Sequence, residues 1–166
     1  MKTVHRVLKE FAVFSIVSLV VANCSPPGTF EEGEAAYDRE DYQTALKIIR
    51  PLAEKGNARA QHCLGSMYQE GKGVSQDYNE AVKWYQKSAN QGEANAQSNL
   101  GFMYQNGLGV PQDHAEAVKL YRKAAEHGIS TAQFNLGIMY CVGKGVTQDY
   151  AEAVKWYRKS ADQGYI

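Results

Sequence analysis

Apolar residues recur at every third or fourth position over most of this chain, in stretches separated by short polar segments. One such stripe consists of Tyr78, Ala81, Val82, Tyr85 and Ala89. This spacing matches the 3.6-residue turn of an α-helix, so each stretch predicts an amphipathic helix with one buried face. The pattern continues from residue 30 to the end of the sequence and predicts an all-α fold.

The helical pattern belongs to a block of 36 residues that occurs three times in succession, at 57–92, 93–128 and 129–164. The copies align without gaps, and 19 of the 36 columns are identical in all three. A fixed period of this length is typical of a solenoid, in which each unit buries its apolar face against its neighbours. Such proteins usually present a surface to a partner, so binding is the leading hypothesis for function.

Each block divides into two predicted helices, A and B. Helix A covers 57–70, 93–106 and 129–142, and helix B covers 78–91, 114–127 and 150–163.

Residues at fixed places in the block mark where these helices begin and end. Asp77 precedes Glu80 by three residues, which is the spacing of a capping box at the start of helix B. Gly71 and Gly73 predict a tight turn with positive φ between helices A and B. Gly65 lies inside helix A, where glycine is unfavourable, and therefore predicts the close approach of a neighbouring helix.

Residues 30–56 form a divergent first unit, with helices predicted near 31–39 and 42–55. This unit lacks the Gly-x-Gly turn, so we interpret it as an N-terminal capping repeat. Pro51 falls inside its second helix and predicts a bend there.

The consensus AQxxLGxMYxxGxGVxQDxxEAVKxYxKxAxxG resembles the Sel1-like repeat, a relative of the tetratricopeptide repeat. The resemblance covers 57–164 strongly and 30–56 weakly. It implies a right-handed α-solenoid of antiparallel helix pairs that binds proteins, often as a secreted bacterial adaptor, regulator or host-interaction factor. Some cysteine-rich members of the family are described as binding or hydrolysing β-lactams. Their cysteine pairs fall in columns that hold Gln61 and Ala89 here, which makes enzymatic activity the weaker alternative.

The positions that differ among the repeats lie on one face of helix A. At 100° per residue, the identical residues Ala60, Leu64 and Met67 share one side, and positions 62, 63, 66, 69 and 70 share another. The resemblance implies that helix A lines the concave side of the solenoid, where ligands usually bind. The predicted protein-binding residues on this variable face are His62, Ser66, Gln69, Ser98, Asn99, Phe102, Gln105, Phe134, Asn135, Ile138 and Val142.

These residues predict a groove that is polar at its N-terminal end and apolar at its C-terminal end. The alternative is sequence drift on a solvated face. Drift does not readily explain the apolar side chains that accumulate together at Phe102, Phe134, Ile138 and Val142.

Other kinds of chemistry have little support in the sequence. Formal net charge is zero and no basic stripe occurs, so nucleic acid is not an expected partner. His62, His114 and His127 occupy unrelated columns of the repeat, so no repeated metal site is predicted. No cofactor is predicted, and the expected partner is a protein or peptide.

Cys63 and Cys141 lie two repeats apart, too far for a disulfide, and are expected to be free thiols.

The N-terminus has the pattern of an export signal. Residues 1–22 carry a basic start and a 12-residue apolar run, Phe11 to Ala22, which is short for a membrane span. Residues 23–29 read as a linker. Cys24, in VVANC, resembles a bacterial lipoprotein lipidation site, although Asn23 stands where a small residue is expected. We therefore expect a periplasmic or secreted protein, with a lipid-anchored envelope scaffold as the alternative, and a membrane link only through that lipid.

The C-terminal end is the last feature to bear on partners. The sequence continues to Tyr165 and Ile166 without the pattern of a polar capping helix. We expect the last helix pair to expose apolar residues, and this end to contact a partner or a second copy of the protein.

Overall fold

Eight α-helices and no strand occupy residues 28–165, the part of the chain that the computed structural model describes. The predicted signal segment 1–22, Cys24 and most of the predicted linker lie outside the described residues. The helices are α1 Phe30–Asp38, α2 Tyr42–Glu54, α3 Ala58–Glu70, α4 Tyr78–Asn90, α5 Ala94–Asn106, α6 His114–Glu126, α7 Ser130–Val142 and α8 Tyr150–Ala161. Each helix packs mainly on its predecessor and its successor in the chain, which is the contact pattern of a solenoid.

The predicted helix pairs are confirmed, with bounds that differ by one or two residues. Helices α3, α5 and α7 begin one residue later than predicted, because Asn57, Glu93 and Ile129 are the N-cap residues. Helix α2 runs through Pro51 and ends at Glu54. None of the helices in residues 28–165 combines the length and the hydrophobicity that a membrane crossing requires.

The start of each B helix is capped by an aspartate, as predicted. The Asp77 carboxylate accepts hydrogen bonds from the backbone N–H groups of Asn79 and Glu80, at 2.9 and 3.1 Å. The second half of the predicted capping box is wrong. The Asp77 N–H donates to the Tyr68 carbonyl at 2.9 Å, and the Glu80 carboxylate instead pairs with Lys83. The chain before Asp77 folds back on helix α3, so the N–H that a capping box needs is already satisfied.

The two glycines of the interhelical turn have different roles. Gly71 ends α3 in the left-handed conformation, with φ of 72°. Gly73 also has positive φ, and a Cβ atom there would lie 2.7 Å from the carbonyl oxygen of Tyr42 in the preceding unit. The predicted turn is therefore confirmed, and its second glycine also brings neighbouring units into contact.

The residues that are identical among the repeats form the core. Ala60, Leu64 and Met67 are fully buried, and so are their equivalents in α5 and α7. The buried amide of Gln61 donates to the Ala53 carbonyl at 3.0 Å and so joins one unit to the one before it. The packing that the repeats share and this recurring amide bond hold helix A at a fixed position in every unit.

Candidate functional site

The variable face of the A helices is half-buried, and it contains the predicted site residues. Most of them are partly covered by neighbouring helices, whereas Phe102 and Val142 are 40% and 51% exposed. Ser98 is the exception, at only 5% exposed, because its hydroxyl group meets that of Thr131 at 3.4 Å on the next A helix. Ser98 therefore offers a partner much less surface than its place on the variable face predicted.

A hollow of about 340 Å³ lies in the middle of this face. It brings together side chains from α3, α5 and α7 with Tyr165, and none of the lining residues within 28–165 is charged. The lining residues are Gln69, Ser98, Asn99, Phe102, Thr131, Asn135 and Tyr165. Five of these seven are predicted site residues, and Thr131 and Tyr165 were missed. Thr131 precedes Ala132 by one residue, so a rotation of 100° per residue also places it on the variable face, and this is the signal that could have found it. Tyr165 follows the last repeat, 129–164.

A second hollow, of about 320 Å³, lies at the N-terminal end of the face, between α1, α3 and the start of α5. Its lining residues are Phe30, Glu34, Tyr37, Asp38, Arg59, His62, Cys63, Ser66, Glu70, Glu93 and Asn95. Helix α1 contributes four of them, and the interpretation of 30–56 as a cap had assigned no binding residue there. The available signal was Glu34 and Asp38, which stand one helical turn apart on α1 and share a face.

A third hollow, of about 270 Å³, is almost entirely apolar and lies at the C-terminal end, lined by Phe134, Tyr157, Ala161 and Tyr165. The Phe134 ring packs against the rings of Tyr157 and Tyr165, with centroids 5.5 and 5.6 Å away. Phe134 is therefore partly a packing residue, in addition to its place on the predicted binding face. Gln105, Ile138 and Val142 lie on the same face without lining any of these three hollows.

Hydrogen bonds fix the polar residues between the first two hollows. His62 Nε2 lies 3.1 Å from the amide nitrogen of Asn99, one repeat further along. Burial lowers the pKa of His62, and the nearby Glu93 opposes this shift. A neutral imidazole accepts the Asn99 N–H, so burial and the hydrogen bond both favour the uncharged form.

A tyrosine of the core orients the side chain of Gln69 on the variable face. The Tyr85 hydroxyl group lies 2.7 Å from Gln69 Oε1 and 3.1 Å from the Ser66 hydroxyl group. Burial raises the pKa of Tyr85, so its hydroxyl group stays protonated and donates. The same bond joins Tyr121 to Gln105 at 2.7 Å. The tyrosine hydroxyl group fixes the carbonyl oxygen of each glutamine, and this hydrogen bond also fixes the orientation of the glutamine amide nitrogen.

The N-terminal hollow carries an excess of carboxylates. Arg59 is paired with Glu34 at 3.3 Å and with Glu31 at 3.7 Å, and it lies 4.3 Å above the Phe30 ring. The pKa of the Cys63 thiol is raised to about 11, first by burial and then by nearby carboxylates. Cys63 is therefore a protonated, unreactive thiol at neutral pH.

One further prediction concerns the two cysteines. Cys63 and Cys141 are both free, as predicted. Among residues 28–165, no group of three or more His, Cys, Asp or Glu side chains is arranged to hold a metal ion.

This chain is a helical-repeat protein of the α-solenoid class. It contains three matching helix pairs, a divergent first pair and a variable face on the A helices. The chain belongs to the Sel1 repeat family, whose model matches residues 58–93, 94–129 and 130–165. Sel1 repeat proteins are generally protein-interaction modules, and their fold is typically a non-enzymatic scaffold. The predicted family and the all-α solenoid fold are thus confirmed.

Solved structures of bacterial Sel1 repeat proteins are similar to this chain. A Sel1 repeat protein from Oxalobacter formigenes has a TM-score of 0.77 and 37% identity, over 82% of this chain and 56% of that one. The protein c5321, a protective antigen present in uropathogenic Escherichia coli strains, has a TM-score of 0.72 and 38% identity, over 82% of this chain and 34% of its own. Helicobacter pylori cysteine rich protein B shares the fold, at 20% identity and a TM-score of 0.55. No curated protein matches the chain.

Proposed function

We propose that this protein is a non-enzymatic adaptor that binds a protein or peptide on the variable face of its A helices. The observation that carries the proposal is the middle hollow, which is built almost entirely from residues that differ among the repeats. The repeated residues maintain the scaffold, and the changing residues converge on one recess. Sequence drift on a solvated face does not account for a large apolar side chain such as Phe102 beside such a recess.

The proposed place of action is the bacterial envelope or the exterior of the cell. Residues 1–22 support it through their basic start and apolar run, which have the pattern of an export signal. Similarity to a protective antigen of uropathogenic Escherichia coli also favours a protein that reaches the exterior.

The alternative form of this proposal adds a membrane anchor, through lipidation at Cys24. Detergent-phase partitioning of the wild-type protein that is lost in Cys24→Ala would support the anchor, and aqueous partitioning of both would refute it.

Partner capture from envelope and host extracts tests the binding face. Phe102→Ser should reduce capture at least tenfold, because it removes the most accessible apolar side chain of the middle hollow while the core stays intact. Lys119→Ser is the matched control, since Lys119 lies on the outer surface of α6 with 60% of its side chain exposed. Both variants should keep wild-type circular dichroism. A partner that Phe102→Ser retains at full yield and Lys119→Ser loses would place the site on the B helices instead.

We also propose a self-association surface on the last helix. Val154 in α8 is 46% exposed, whereas Val118, its equivalent in α6, is 5% exposed beneath the following repeat. Within residues 28–165, the Val154 side chain is thus accessible on α8, where the equivalent side chain of α6 is covered by the next helix pair. Light scattering should show concentration-dependent dimers that Val154→Asp removes. A wild-type protein that stays monomeric at all concentrations would contradict this proposal.

A further inference from the structure

The three hollows of the variable face differ in charge from one end to the other. Four carboxylates line the N-terminal hollow, against the single guanidinium group of Arg59. In the part of the chain that the structure describes, no charged residue lines the middle hollow or the C-terminal one. The face therefore changes within one continuous row of helices from negative at α1 and α3 to neutral and aromatic at α5 and α7.

The positive groups near the N-terminal hollow are already paired. Arg59 is held by Glu31 and Glu34, and Lys72 is paired with Glu70 at 2.7 Å. His62 accepts from Asn99 in its neutral form and adds no positive charge. Because these pairs leave Asp38 and Glu93 without a cationic partner among residues 28–165, the hollow keeps a negative excess.

The walls of this hollow suit the stem of a long basic side chain. Tyr37 is half-buried and provides aromatic surface, whereas the Phe30 ring is buried beneath Arg59. Cys63 provides a protonated thiol. Lysine and arginine side chains bury their methylene groups against such surfaces while the charged end reaches a carboxylate. Each carboxylate oxygen has more than one lone pair, so Glu93 can accept from a ligand while it caps α5 through the Ala96 N–H.

The middle hollow suits a different kind of side chain. Phe102 and Tyr165 give it aromatic surface, and Asn99 and Asn135 supply amide groups. Amide side chains both donate and accept, so they match the alternating N–H and C=O groups of an extended peptide backbone.

The structure thus points to a specific chemistry for the partner, and this inference rests on the function proposed above. We infer that the variable face binds an extended peptide segment with a lysine or arginine in the N-terminal hollow and an apolar side chain beside Phe102. The N-terminal hollow lies between α1 and α3, and the middle hollow is centred on α5, about one and a half helix steps further along. Packed helices lie about 8–10 Å apart, so the two sites are separated by roughly 12–15 Å. An extended chain rises by about 3.3 Å per residue, which sets the two side chains roughly four residues apart, a spacing that keeps both on one side of the chain.

Three end-capped, fluorescein-labelled peptides test this inference with the full-length protein. The first carries Arg and Leu four residues apart in a Ser/Thr background, the second replaces Arg with Glu, and the third places Arg and Leu side by side. In fluorescence polarisation the first should bind at least tenfold more tightly than either of the others. Its advantage over the Glu peptide should shrink as salt is raised, because the charged site is open to solvent.

Paired variants locate the charge effect. Glu34→Gln with Asp38→Asn removes two carboxylates from the hollow and should weaken the first peptide about tenfold. Glu126→Gln with Asp162→Asn makes the same change in net charge at exposed positions outside the hollow, and should leave binding unchanged. All four substitutions lie outside the core, so circular dichroism should match the wild type.

The inference is overturned if the Arg and Glu peptides bind equally, if no peptide binds, or if both double variants weaken binding to the same degree. The proposed function is tested separately, by the capture of a cellular partner. If Phe102→Ser still abolishes capture of a cellular partner while the peptides show no charge preference, the face binds proteins but the inferred peptide chemistry is wrong.

Discussion

The aromatic ring of Tyr121 in α6 lies directly against Gly101 in α5. A Cβ atom at Gly101 would stand 2.9 Å from two ring carbons of Tyr121, closer than side chains normally approach. Tyr121 is fully buried, and its hydroxyl group reaches Gln105 on the variable face at 2.7 Å. One tyrosine therefore connects the helix contact of the core to the orientation of a side chain on the proposed binding face.

Gly101→Ala should destabilise the protein by about 1–3 kcal/mol, although alanine is the better helix former. The added methyl group must displace the ring of Tyr121, which has no free space around it. Chemical denaturation gives the free energy of unfolding. In a double-mutant cycle, Tyr121→Leu should reduce the cost of Gly101→Ala, and strictly additive effects would show that the ring contact does not cause it.

Leu100→Ala should cost about 2–5 kcal/mol, because Leu100 is fully buried in the middle unit and its loss leaves a cavity. Lys119→Ala should cost less than about 0.5 kcal/mol, since it removes one exposed ion pair with Glu116. Equal losses in a denaturant titration would show that the core and surface faces are assigned wrongly.

Asp113→Ala should cost about 1 kcal/mol. The Asp113 carboxylate accepts from the backbone N–H groups of Ala115 and Glu116, at 2.9 and 3.0 Å, and these groups have no helical partner. Glu126→Ala, at an exposed position in the last turn of the same helix, serves as the control and should change the melting temperature little. If both substitutions were neutral, the cap would contribute nothing to stability.

His127→Gln should stabilise the protein by about 1 kcal/mol. In the units before and after, Gln91 and Gln163 donate to the buried amide oxygens of Gln61 and Gln133, at 2.7 and 2.8 Å. His127 stands in the same column, and the buried Oε1 atom of Gln97 has no hydrogen-bond partner among residues 28–165. A melting temperature below that of the wild type would contradict this expectation, and His127→Ala provides the reference without a donor.

Stability should fall as the pH drops below about 6.5, the ordinary pKa of a histidine. Burial lowers the pKa of His62 in the folded state, so the unfolded chain binds more protons in the range below that value. The loss begins near the unfolded pKa and is complete once the pH has fallen below the folded one. His62→Gln should flatten this part of the pH profile relative to the wild type, and an unchanged slope would assign the effect to other groups.

The sequence by itself determined the architecture, because a solenoid is built from local and nearest-neighbour contacts. The period of 36 residues, the Asp77 cap, the Gly71 turn and the buried face of each helix all follow from residues close together in the chain. For the same reason the rotation of the variable residues onto one face of helix A could be calculated from helical geometry alone.

The tertiary structure decided which parts of that face form a site. Glu34 joins the N-terminal hollow because α1 packs beside α3, and Tyr165 joins the middle hollow after the chain leaves α8. Ser98 is covered by Thr131 on the next A helix, and Phe134 packs against Tyr157. Helical periodicity gives the direction of a side chain around its own axis. The extent to which a neighbouring helix covers that side chain depends on how closely the units approach and on which side chains meet between them. Only the folded chain fixes both.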